Sequence, residues 1–215
     1  MGAGRGWHGY CVLLQILELV GIVAFAMSGA LVGVVKRLDL FGVCLVGVFT
    51  AVGGGIVRDL LLDIHPPSSL NNWRYLGAAL AASLLVFYLH TVVSKLNREI
   101  LVLDALGMGL FATTGATIAL EAGAEPLAAA LIGATAAIGG GILRDVLVNE
   151  VPLLLHRDLY AIPALLGAAV LVTAHELGVG QNLALVLGTL LATGLRLVAL
   201  WRGWSLPQAR TPRED

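Results

Sequence analysis

The feature that most restricts this chain is a decapeptide that occurs twice. Residues 53–62 read GGGIVRDLLL and residues 139–148 read GGGILRDVLV. Each copy places three glycines and an Arg-Asp pair inside a long apolar run. Glycine lowers helix propensity by about 1 kcal/mol relative to alanine. An arginine at the centre of a membrane costs about 2.5–3.5 kcal/mol on insertion scales. A chain that carries this object twice must give both copies a compensating environment.

The surroundings of the motif are membrane-like. Of 215 residues, 58% are hydrophobic and 13% charged, against roughly 25% charged in soluble domains. This composition has too little polar surface for a soluble globule and implies an all-α integral membrane protein. The net charge of -1 leaves no basic footprint for nucleic acid. Cys11 and Cys44 lie in apolar runs without metal-ligand spacing and read as buried small hydrophobes. The histidines form no metal set, and nothing in the chain implies a cofactor. Windows of about 20 apolar residues fall near 12–35, 41–64, 73–92, 100–121, 127–149, 158–178 and 181–201, predicting seven transmembrane helices. The first window is longer than a usual signal core and reads as a structural helix. HPPSSLNN, residues 65–72, reads as the clearest turn.

The duplication extends beyond the motif. At a shift of 86, residues 18–66 and 104–152 agree at 16 of 49 gap-free positions. Glu18 falls on Asp104, Ser28 on Thr114, and Pro66 on Pro152. The predicted architecture is therefore two three-helix repeats, 12–92 and 100–178, followed by a seventh helix at 181–201 and a tail at 202–215. An odd number of spans per repeat makes the second copy enter from the opposite side, as in inverted-repeat transport folds. Lys36, Arg37, Lys95, Arg98, Arg157, Arg202, Arg210 and Arg213 fall at one set of span ends, with Arg5 and Arg74 at the other. The positive-inside rule then places the N-terminus outside and the C-terminus in the cytoplasm of a multi-pass cell membrane protein. Arg196, within the last span, is placed to snorkel toward that face.

At about 1.5 Å per residue, Glu18 and Arg58 lie level on the outer side of their spans, and Asp104 and Arg144 lie level on the inner side. The sequence predicts ion pairs Glu18–Arg58 and Asp104–Arg144. Asp59 and Asp145 are expected to be poor partners for the adjacent arginines, because neighbouring helical residues point about 100° apart. Gly53, Gly54, Gly55, Gly139, Gly140 and Gly141 allow either a broken helix with carbonyls facing a hydrated path or close helix packing. Attached to Arg-Asp in inverted copies, they favour the first reading, and Gly29 and Gly33 favour the second. Ser28 and Thr114 follow on the face of Glu18 and Asp104, lining a pore or bonding back to their own helices. Phe25 and Phe111 read as core rather than gate. Trp73, Tyr75, Tyr160, Trp201 and Trp204 read as interfacial anchors, and His65, His90, His156 and His175 as solvated at span ends. No nucleophile system, phosphate loop or metal signature supports an enzyme.

Two repeats, each with GGG(I)xRD on its second helix, plus a seventh helix, resemble the prokaryotic branch of the trimeric intracellular cation (TRIC) channel family, a bacterial group also labelled glycine transporter. The resemblance covers roughly residues 12–201. It implies a homotrimer in the lipid bilayer with an hourglass pore through each subunit. It further implies second and fifth helices bent at the glycines to line that pore, and permeation of K⁺ over Na⁺. Its site positions are Gly53, Gly54, Gly55, Arg58 and Asp59, with Gly139, Gly140, Gly141, Arg144 and Asp145. The lipid-binding lysine motif of the animal members is absent from the sequence. A passive cation channel is the expected function. A secondary transporter of glycine or a similar zwitterion, its carboxylate held by an arginine, is the alternative, and a purely structural membrane protein is a third.

Overall fold

The computed structural model describes residues 4–89, 96–156 and 159–205, with side chains from Val12 onward in the first helix. Lys95, Arg157, Arg210, Arg213 and His90 lie outside the described residues, as do the side chains of Arg5, Cys11 and His156. The protein is an all-helical membrane protein. Nine helices are described: α1 (Gly4–Val35), α2 (Leu40–Leu61), α3 (Ser68–Asn71), α4 (Trp73–Leu89), α5 (Leu96–Glu121), α6 (Pro126–Leu147), α7 (Leu153–His156), α8 (Ala161–Glu176) and α9 (Gln181–Arg202). Parts of α1, α2, α5, α6 and α9 are long and apolar enough to cross a membrane, while α4 and α8 are apolar but shorter.

The halves are built alike. In the first, α1 packs on α2 and α4. In the second, α5 packs on α6 and α8. Each half carries one helix that the sequence reading took for a loop: α3 lies inside the expected turn 65–72, and α7 follows Pro152. The helices before them stop for the same reason. Asp63 and Asn149 adopt left-handed φ values of 56°, which short polar side chains tolerate. Around them the backbone bonds Ile64 N–H to Asp59 C=O and Glu150 N–H to Asp145 C=O, each 2.8 Å, close the helix end. α2 therefore ends at Leu61 and α6 at Leu147, short of the expected 64 and 149.

Both glycine motifs are helical without interruption. This corrects the broken-helix expectation. The glycines instead form the crossing of α2 and α6. The carbonyl of Ala136 lies where a Cβ on Gly54 would stand, and the carbonyl of Thr50 where one on Gly140 would stand. Leu143 covers Gly53, and Val57 covers Gly139. Residues earlier on one helix meet residues later on the other, so the two run antiparallel. Dense backbone contact of this kind holds helices together where lipid gives no hydrophobic driving force. It also keeps the helix bonds made, which a membrane interior enforces.

The crossing of α1 and α5 follows the same reciprocal plan. Phe25 fills the space over Gly107, and Phe111 fills that over Gly21. The two rings meet with centroids 5.2 Å apart and are buried, as expected of core residues. Gly29 abuts Thr50 and Gly33 abuts Val43, the packing role expected for both. Helix α9 covers α5 and α8. Trp73, Trp201 and Trp204 are exposed at helix ends, while Cys44 is half-buried rather than buried.

Gly54→Ala is expected to destabilise the protein by about 1–3 kcal/mol, because the obstructing atom is a backbone oxygen of α6. Gly77→Ala in α4, where a Cβ meets nothing within 4 Å, is expected to be neutral or stabilising by up to about 1 kcal/mol. Thermal melts of the purified variants in detergent check the contrast.

Candidate permeation site

Arg58 sits in the last turn of α2 with 1% of its surface exposed. Its guanidinium is engaged on three sides. Nη1 donates to Glu18 Oε1 of α1 at 2.6 Å, Nε to Asp59 Oδ1 at 2.7 Å, and Nη2 to Ser68 Oγ at 2.9 Å. Asp59 uses its other oxygen to accept the Ser68 backbone N–H at 2.7 Å and the Ser68 hydroxyl at 2.6 Å. This carboxylate caps the first turn of α3, which explains why a helix nucleates in the expected loop. The Tyr75 hydroxyl of α4 donates to Glu18 Oε2 at 2.9 Å. One arginine thus ties α1, α2 and α3 together, and Glu18 brings in α4.

The second half repeats the arrangement. Arg144, 1% exposed, donates through Nη1 to Asp104 Oδ1 at 2.6 Å and through Nε to Asp145 Oδ1 at 2.9 Å. Asp145 Oδ2 accepts the Leu153 N–H at 2.9 Å and so caps α7. Arg144 Nη1 also donates to Ser28 Oγ at 2.9 Å, and Ser28 donates to the Ile100 carbonyl at 3.3 Å. Tyr160, immediately before α8, places its hydroxyl against Gly141, and the Arg196 guanidinium lies 4.7 Å from the centre of its ring.

Both predicted pairs, Glu18–Arg58 and Asp104–Arg144, are formed. Three expectations require correction. Asp59 and Asp145 are direct partners of Arg58 and Arg144. The 100° offset is overcome because each arginine folds back through Nε, and each aspartate is held in place by the following short helix. Ser28 joins the cluster of the opposite half rather than that of Glu18. Thr114 takes the back-bonding alternative, donating to the Leu110 carbonyl of its own helix at 2.9 Å. Arg196 is fully buried and does not snorkel.

The sequence reading also missed Tyr75 and Tyr160, which are buried against the clusters rather than at the interface. A signal existed. The linker after the second motif is one residue shorter, so the repeat shift falls from 86 to 85 beyond Pro152, and at 85 Tyr75 falls on Tyr160. Ser68 has no such signal, since Leu153 occupies its place with only a backbone donor. Histidines His65 and His175 are held locally, by Asp63 at 3.0 Å and Gln181 at 3.0 Å.

As described, the clusters are nearly closed. Glu18 retains 8% exposure and Asp145 6%, while Asp59, Arg58, Asp104 and Arg144 are at 1% or less. The two phenylalanines and the glycine crossing pack the space around Gly21, Gly107 and Gly140. The arrangement stabilises buried charge by pairing each guanidinium with two carboxylates.

Comparison with known proteins places this geometry. Residues 15–91 and 101–176 match the family described as glycine transporter, one segment per half. A UPF0126 membrane protein of Deinococcus radiodurans is 43% identical over 202 residues, covering 93% of each chain. The UPF0126 inner membrane protein YadS of Escherichia coli K12 is 37% identical over 91% of this chain and 96% of its own. A solved trimeric intracellular cation channel orthologue from Rhodobacter sphaeroides superposes with a TM-score of 0.86 at 39% identity, covering 89% of this chain and 98% of that one. The chain belongs to the prokaryotic TRIC family. A prokaryotic TRIC channel solved in 0.5 M KCl agrees, with a TM-score of 0.85 at 36% identity over 91% of this chain and 99% of that one. A TRIC counter-ion channel at 17% identity and a TM-score of 0.61 shares the fold. The TRIC resemblance in the doubled motif thus holds over nearly the whole chain.

Arg58→Ala strands Glu18 and Asp59 without their guanidinium and is expected to cost about 3–5 kcal/mol of stability. Adding Glu18→Gln should return part of that loss. Melting of the two single variants and the double variant checks the coupling; strictly additive shifts would refute it.

Proposed function

We propose that this TRIC-family chain is a passive, K⁺-permeable channel for monovalent cations, described here in a closed arrangement. The observation that carries the reading is the pair of buried arginine–carboxylate clusters, one per half, in a chain 39% identical to a cation channel over 98% of that channel's length. Each cluster sets two carboxylates, one from the motif and one from the preceding helix, against the motif's arginine, and this acid favours cations. Gly53, Gly54, Gly55, Gly139, Gly140 and Gly141 let α2 and α6 move past one another without side chains in the way. The route we assign runs from the cluster of Glu18, Arg58 and Asp59 to that of Asp104, Arg144 and Asp145, with Ser28 along it. Thr114 stands on the equivalent turn of α5. Opening then means that the arginines give up part of their pairing while the glycine crossing shifts.

The architecture assigned with this function is seven spans, with α4 and α8 counted among them. The first four helices and the next four form two inverted repeats, and α9 stands outside both. The antiparallel crossing of α2 with α6 and the reciprocal placing of Phe25 and Phe111 support it. We infer a homotrimer with one pore per subunit, in the cell membrane, with the N-terminus outside and the C-terminus cytoplasmic.

The transporter reading draws on the glycine-transporter description of the matching family. It requires a guanidinium able to receive a substrate carboxylate. Arg58 already spends Nε, Nη1 and Nη2 on Glu18, Asp59 and Ser68, which favours the channel.

Purified protein in planar bilayers is expected to give stepwise unitary currents carried by K⁺ without any second solute. In liposomes it is expected to show no counterflow of labelled glycine. A tight membrane containing folded protein, or saturable glycine exchange, overturns the channel reading.

A further inference from the structure

Helix α9 is fastened to α5 over only part of its length. Thr113 Oγ1 and Thr189 Oγ1 share a hydrogen bond of 2.7 Å, Thr193 donates to the Ala105 carbonyl at 3.4 Å, and Thr193 also covers Gly109. Residue numbers fall on α9 as they rise on α5, so the two helices run antiparallel and the start of α5 lies beside the end of α9. There they border a groove of about 790 Å³. Leu101 and Val102 of α5 line it, with Leu197, Val198 and Trp201 of α9. Gly194 lines it as well, and a Cβ on Gly194 would meet nothing within 4 Å. Residues 194, 197, 198 and 201 follow helical spacing, so α9 turns one continuous stripe to the groove. From Gly194 to Trp201 that stripe rises about 10 Å, against roughly 15 Å for the hydrocarbon of one leaflet.

The charge of this groove lies at one end. Arg98, in the first turn of α5, lines it, and Arg202 ends α9 next to Trp201. Both arginines are exposed. Glu99, beside Arg98, instead lines a separate cleft against Met27 and Leu31 of α1 and Leu85 of α4. Trp201 and Trp204 are exposed at the same end, where indoles mark the headgroup level. An apolar slot along the hydrocarbon that ends at two guanidiniums and two indoles is complementary to a chain with an anionic head. The segment after Ser205 reads LPQARTPRED, which is too polar to fill such a slot.

We propose that the α5–α9 groove binds an anionic glycerophospholipid, with an acyl chain along Gly194, Leu197 and Val198 and the phosphate at Arg98 and Arg202. The leaflet is the cytoplasmic one in the orientation assigned above. Arginine matches phosphate geometry with paired N–H donors, and juxtamembrane basic residues attract anionic lipid. The site follows from the membrane fold and holds whether or not the pore conducts.

Native mass spectrometry of the intact protein, titrated with phosphatidylglycerol or with phosphatidylcholine of the same chains, tests this. The wild-type protein should bind phosphatidylglycerol about ten-fold more tightly. Arg98→Gln with Arg202→Gln should bring the two lipids to near-equal affinity. Gly194→Leu, which places a side chain in the groove, should weaken both without lowering the melting temperature. If it does not fold, Val198→Trp, at an exposed position, serves instead. Equal affinities in the wild type, or binding unchanged by the groove variant, overturn the inference. It also falls if lipid binds only after residues 206–215 are removed, since the tail then fills the groove. Loss of subunits from the assembly in the groove variant, with lipid binding retained, means that a second copy sits there, and overturns it too.

Discussion

The structure depends on how two guanidinium groups are held inside an apolar protein. An unpaired arginine at this depth is costly, and each here is matched by two carboxylates within hydrogen-bond distance. Those carboxylates are themselves fixed, Asp59 and Asp145 by the first backbone N–H groups of α3 and α7, and Glu18 by Tyr75. Buried pairs of this kind add little net stability over apolar packing, yet losing one partner is severe. Their effect is specificity: the arginines dictate which helices meet and in what register.

The glycine crossing is the second constraint, and it is tied to the first. Arg58 and Arg144 can reach Glu18 and Asp104 only if α2 and α6 sit close to α1 and α5. The triple glycines permit that approach by letting backbone carbonyls of one helix rest on the Cα atoms of the other. The helices stay intact because hydrogen bonds freed inside a membrane need a partner, and the crossing supplies none. On the channel function proposed above, ion passage comes from a shift at this crossing rather than from a permanent gap in either helix.

Much of the site was legible before any coordinates. The identity of Arg58 and Arg144, and their pairing with Glu18 and Asp104, followed from residue depth and the repeat. Periodicity is reliable for such residues because both partners lie on long helices with fixed rise. Asp59 and Asp145 were misjudged because a helical wheel treats side chains as rays. Arginine is long enough to fold back, and the deciding partner of each aspartate lies beyond the helix end. Ser28 was misplaced because its helix face was known but the helix opposite it was not. Tyr75 and Tyr160 were hidden by a one-residue change in linker length.

The sequence by itself determined that this is a helical membrane protein, that it is duplicated, and that each copy buries an arginine with an acid at matching depth. Those properties depend on composition and on spacing along single helices, which the bilayer constrains strongly. Only the tertiary structure decided that the glycines are contacts and not breaks, that the adjacent aspartates cap the next helix, and that Arg196 is buried over the ring of Tyr160. Each of these depends on which surfaces of distant helices face one another, and no periodicity within a segment encodes that.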